Sequence, residues 1–202
     1  MKATILKISV FVLFFSLMGA GCEKDEELFW EISPNNKSAV IQKEVNGVEF
    51  KFCLLNEERE PATVFNQGEN FIFYFSVTNK SSEKFYFYPG YAYSEENDFC
   101  KVYNSNSQSE GKPYRMITVL NIGIGAYPFD IGDSYIFEQP WVDVRDSIWS
   151  WEKGTYDSTQ QQPLDKGDYY TAFQYRFLFE RPGDNPTLST DTLRFKINFK
   201  IQ

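Results

Sequence analysis

Residues 193–201 read LRFKINFKI: Leu193, Phe195, Ile197, Phe199 and Ile201 fall on one side of an extended chain, and Arg194, Lys196, Asn198 and Lys200 on the other. Successive side chains of a strand point to opposite faces, so this stretch has one dry face and one wet face. That is the signature of an antiparallel sheet covering one side of a core. A helical period of 3.6 residues would scatter the two sets instead of separating them.

The same two-residue period recurs upstream. Residues 39–45 and 48–55 flank Asn46-Gly47, a pair that accepts the positive φ angles of a type I′ turn and so predicts a hairpin. Phe71, Phe73, Phe75 and Val77 alternate with Ile72, Tyr74, Ser76 and Thr78 before the turn Asn79-Lys80-Ser81-Ser82. Residues 84–88 (KFYFY) stop at Pro89-Gly90, residues 99–103 and 114–121 flank the polar stretch 104–111, and residues 134–138 and 168–179 add two more strands. No segment holds helical periodicity over a helical length. About eight short strands without helices predict an all-β, antiparallel β-sandwich occupying residues 39–202.

The 202 residues carry 28 acids and 20 bases, a net charge of −8, and no histidine. Such a balance excludes nucleic acid as a partner, which would need a basic surface. The missing histidine removes the commonest general base and metal ligand, and with it any Ser-His-Asp arrangement. Twenty Phe and 13 Tyr are too many for a disordered chain. Ser81 and Lys84 have the Ser-x-x-Lys spacing, but in a polar turn between strands and without companion motifs. Asp130, Asp133, Asp143 and Asp146 sit where Asp serves as a turn residue. The chain is therefore expected to be no enzyme, with no cofactor and no metal.

Met1–Lys7 holds two lysines, residues 8–17 (ISVFVLFFSL) are almost wholly apolar, and Met18-Gly19-Ala20-Gly21 leads to Cys22. Charge, grease and small residues in that order are a secretory signal, too short in its apolar part to span a bilayer. Cysteine directly after the small residues resembles a bacterial lipoprotein signal. The run Glu23-Lys24-Asp25-Glu26-Glu27 resembles the surface-export tag of Bacteroides-type lipoproteins. These resemblances imply a signal peptide over 1–21 and a lipid on Cys22. They further imply an acidic tether over 22–38 and an outer-membrane location facing the cell exterior, with the membrane as partner through the acyl chains. Asp146-Ser147-Ile148, Asp157-Ser158-Thr159 and Asp191-Thr192-Leu193 resemble O-glycosylation sites of the same exported proteins.

Asp165-Lys166-Gly167-Asp168-Tyr169 has the Asp-x-Gly-x-Tyr spacing of a tyrosine corner. The resemblance implies an immunoglobulin-like sandwich in which the Tyr169 hydroxyl bonds backbone a few residues upstream. Residues 62–180, with Phe65-Asn66-Gln67-Gly68-Glu69-Asn70 and Phe129-Asp130-Ile131-Gly132-Asp133 as punctuation, resemble the bacterial immunoglobulin-like domains of the intracellular proteinase inhibitor (BsuPI-like) family. Fold travels with such likeness more readily than inhibition does.

Two candidate features remain. Cys53 and Cys100 are an even pair for an exported protein, and a bridge would close about 47 residues with a gain on the order of 4 kcal/mol. Cys53 nevertheless shares its strand face with Glu49 and Lys51, which leaves two separate thiols as the other outcome. Trp141, Trp149, Trp151 and Tyr156 gather around the long loop 142–163 beside Asp143, Asp146 and Gln160–Gln162. They form either a sugar-binding platform or a set of pins holding the loop to the core. The functional expectation is a non-catalytic surface module binding a glycan or protein partner, with a protease-inhibitor-like factor or an envelope assembly component as alternatives.

Overall fold

The computed structural model describes residues 28–93, 97–118, 126–150, 154–183 and 186–202. Strands β1 (Leu28–Ile32), β2 (Val40–Val45), β3 (Val48–Leu55), β4 (Pro61–Ala62), β5 (Val64–Phe65) and β6 (Ile72–Asn79) come first. Then come β7 (Phe85–Phe87), β8 (Val102–Asn104), β9 (Ser109–Gly111), β10 (Tyr114–Thr118) and β11 (Tyr127–Phe129). The last five are β12 (Ser134–Pro140), β13 (Ser147–Ser150), β14 (Gly154–Ser158), β15 (Gly167–Glu180) and β16 (Leu188–Ile201). A single 3-10 turn over Gly90–Ala92 is the only helical element among the described residues.

Two sheets make the sandwich. The five-stranded sheet runs β12-β6-β3-β2 with β4 beside β3. The eight-stranded sheet runs β1-β16-β15-β7-β11, with β5 beside β16, β8 beside β15 and β9 beside β8. Alternation decides what lies between them. Phe50, Phe52 and Phe75 point from the first sheet, Phe173, Phe177 and Phe195 from the second, and all are buried. Ring centroids are 4.7 Å apart for Phe50–Phe177, 5.3 Å for Phe52–Phe173 and 5.5 Å for Phe75–Phe195. Each such pair adds about 0.5–1.5 kcal/mol to its burial. The β2–β3 hairpin turns where Asn46-Gly47 predicts, with φ of 53° and 76° at the two residues. The last strand extends the alternation of residues 193–201 upstream to Leu188 and pairs with β15 along nearly its whole length.

Three features depart from the sequence reading. The sheet is not purely antiparallel, because β1 and β5 both run parallel to β16. The sandwich also begins at Leu28, not at residue 39, so the stretch expected as a tether over 22–38 is partly a strand. Leu28, Trp30 and Ile32 face inward, with Trp30 edge-on to Phe195 at 5.0 Å, and a turn at Ser33–Asn36 carries the chain over to the other sheet. The long loop expected over 142–163 is replaced by a small third sheet, β10-β14-β13. Residues 1–21 and Cys22 lie outside the described residues.

At the start of β15, the Tyr169 hydroxyl donates to the Asp165 carbonyl at 3.0 Å, the hydrogen bond of a tyrosine corner.

Candidate functional site

The expected aromatic site under the third sheet comes apart on inspection of burial. Trp141 is only 1% exposed. Its ring stacks on Phe71 at 5.8 Å and 9°, and its indole N–H donates to the Gln162 carbonyl at 2.9 Å. Tyr156 is equally buried and meets Tyr114 edge-on at 5.6 Å. Neither ring has a face to offer a sugar, so as candidate ligand-binding residues both are corrected to packing residues. Trp151 and the side chain of Trp149 lie outside the described residues.

The carboxylate beside them is structural too. Asp143 has a buried side chain that accepts from Gln139 Nε2 at 2.8 Å and from Arg145 Nε and Nη2 at 2.7 and 2.6 Å. Burial works to raise its pKa, but the hydrogen bonds from Arg145 and Gln139 prevail and hold the carboxyl below its usual range. The Ser158 hydroxyl bonds the Asp143 carbonyl, so of the three resemblances to O-glycosylation sites this one is spent on holding the third sheet down. Asp130 and Asp133 close a turn on each other through backbone N–H donors.

The two cysteines do not meet. Cys53 and Cys100 are both free of a disulfide and both buried. Phe52 and Leu54 face the core, so Cys53 lies on the opposite face of the five-stranded sheet, whereas Cys100 packs within the core between the sheets. One sheet separates them. Burial pushes the Cys53 thiol up to about 11, which leaves it protonated and unreactive near neutrality.

A different place has the form of a binding site: the outer face of the eight-stranded sheet. Its register sets outward side chains in rows across the strands. One row is Phe29–Arg194–Gln174, the next Glu31–Lys196–Ala172, and the next Asn198–Tyr170–Tyr103. Ala172 is the shortest side chain among them. Around it opens a hollow of about 440 Å³ whose lining includes Phe29, Asn97, Asp98, Gln174, Tyr175 and Arg194. At one end Tyr103 and Tyr170 stack at 5.1 Å and 13°, with the ammonium of Lys101 over one ring and that of Lys196 over the other, each at 5.2 Å. Lys196 is bridged to Glu31 at 2.9 Å, and Lys101 to Asp98 at 3.2 Å. Bonds from Asn198 and Lys196 lower the pKa of Glu31.

The side of the hollow facing β7 is also aromatic. Between β8 and β7 the edge of β15 has no strand partner among the described residues, and Tyr175 lies there beside the Gly90 turn. Burial and the neighbouring Tyr88 raise the pKa of Tyr175. Tyr88 and Tyr93 pair at 5.5 Å, and Tyr86, opposite Glu180, faces outward beyond them. No family model, curated protein or solved structure matches the chain. Sequence reasoning missed this face because Phe29 sits in a charged prefix, and the residues around the hollow with it come from Asn97–Asp98, β15 and β16.

Proposed function

We propose that this chain is a non-catalytic binding module that holds a glycan in the hollow beside Phe29, carried outside the cell by an acyl group on Cys22. The observation carrying the reading is Phe29 itself. Its ring is 51% exposed, the only exposed phenylalanine among the described residues, and it borders a concavity with amide, carboxylate, guanidinium and phenol groups around it. A sugar has an apolar face for a ring and hydroxyls for such groups, and a few polar groups converging on a partly apolar hollow is the usual form of a ligand site. Paired strands hold Phe29, Gln174, Tyr175 and Arg194, and hydrogen bonds and an ion pair hold Asn97 and Asp98, so little ordering is left to be done on binding. The short acidic run after Cys22 supports the surface anchoring, and the one buried thiol whose pKa is shifted, Cys53, is not poised as a nucleophile.

The test is migration of the purified protein through native gels containing single polysaccharides. The wild type is expected to be retarded by at least one polymer. Phe29→Ala is expected to run freely while its unfolding free energy stays within about 0.5 kcal/mol of the wild type, as is usual for a surface site. Equal retardation of the two proteins, or none of the wild type by any polymer, removes the hollow as a glycan site.

A further inference from the structure

Resting on that reading, we infer that the ligand is an uncharged, linear polysaccharide lying diagonally across the outer face of the eight-stranded sheet, from Phe29 over Gln174 to Tyr88 and Tyr93. Two observations carry this, one of charge and one of extent.

The charge observation is a balance. The chain has a net charge of −8, yet its lysines on this face are matched by acids: Lys196 by Glu31, Lys101 by Asp98, and Lys200 by its register partner Asp168. Arg176 is engaged with the Ser189 hydroxyl at 3.1 Å. Within the hollow Asp98, already bridged to Lys101, also borders Arg194, and Glu180 lies on the same outward side of β15, so five bases stand against four acids on this face. A polyanion would meet almost as many acids as bases here, and it would approach against the net charge. A polyol loses nothing, because every group in these pairs still has a donor or an acceptor to share with a hydroxyl.

The extent observation is a second exposed aromatic patch on the same face. Glu180 pairs with Tyr86, so Tyr86 shares the outward side of β15 with Gln174 and Leu178. Continuing that register places Tyr88 beside Leu178. Tyr86 and Tyr88 are each 41% exposed. From the Phe29 row to Tyr88 the path crosses three strand spacings and about four residues of strand rise, on the order of 20 Å. That length takes several pyranose rings and exceeds any single sugar. A small ligand would need one ring platform; two platforms on one sheet face, with the hollow beside the first, suit a polymer.

The experiment combines neutral polymers (a β-glucan, a xylan and a mannan), polygalacturonate as the acidic probe, and a length series of oligosaccharides from whichever polymer binds. Retardation by a neutral polymer, unchanged between low and high salt, is expected. Affinity should rise with oligosaccharide length until both platforms are spanned. Tyr88→Ala should weaken the long oligomers about tenfold, the loss of one ring's packing, and leave the short ones unchanged. Retardation by polygalacturonate alone, abolished by salt, overturns the uncharged ligand while the site at Phe29 stands. A Tyr88→Ala effect equal at all lengths, or no length dependence, overturns the extended path. Absence of all retardation in the wild type overturns this inference together with the reading beneath it.

Discussion

Trp141 beneath the three-stranded sheet and Phe29 on the outer face of the eight-stranded sheet are both large rings with amides and carboxylates close by. Trp141 stacks on Phe71 and spends its N–H on the Gln162 carbonyl, and Asp143 nearby is saturated by Arg145 and Gln139. Phe29 lies between the solvent and a hollow, and the polar groups around that hollow border an open concavity. The contrast shows that a ring among polar residues has no assignable role until its other face is known. In the first region the polar contacts fasten one sheet to another; in the second Asn97 and Asp98 are held by Tyr91, Phe99 and Lys101, while Phe29 and Gln174 stand exposed on their strands.

The sharpest way to break the comparison is Trp141→Ala. If the ring is a pin, chemical denaturation will show a loss of about 3–5 kcal/mol, and the fraction still folded will bind glycan as the wild type does. A small loss with abolished binding would exchange the roles of the two regions. Asp143→Asn should cost less, about 1.5–3 kcal/mol, since it removes the charge from a buried carboxylate that accepts from half-exposed Arg145 and from Gln139. The pH dependence follows from the lowered pKa. Unfolded Asp titrates near about 3.9, so the stabilisation is fully present above that value and fades as pH falls through the lower folded pKa. A denaturation series below about pH 4 should therefore show wild type and Asp143→Asn converging. The smallest effect is reserved for Tyr169→Phe. It deletes a hydrogen bond at the start of β15, on the inward side of the sheet, and should cost about 1 kcal/mol or less with binding untouched.

Much of the sandwich is legible in particular residues. Asn46-Gly47 gives a turn because both residues tolerate positive φ, and the alternation of residues 193–201 survives intact in β16. Elsewhere the local pattern carried too little. In β1, Leu28, Trp30 and Ile32 do alternate, but Phe29 interrupts them and a charged run precedes them, and parallel pairing with a strand at the far end of the chain leaves no local mark. Cys53 sits between Phe52 and Leu54 on the face shared with Lys51, which reads as wet, yet it is wholly buried. The turn-rich chemistry of residues 142–163 suits a loop, and only Tyr156 and its neighbours pairing with β10 and β13 make it a sheet. The candidate site was the least legible part. Its rows are cross-strand neighbours from four strands, so no stretch of sequence contains them.

The start of β1 at Leu28 has a consequence for where such a module can work. Six residues lie between Cys22 and Phe29, and a fully extended chain over that interval reaches about 25 Å at most. An acyl group at Cys22 would therefore moor the Phe29 rim within roughly a headgroup and a few water layers of the bilayer. A protein tied down so closely would not fish in the medium; it would grip strands that already lie along the cell.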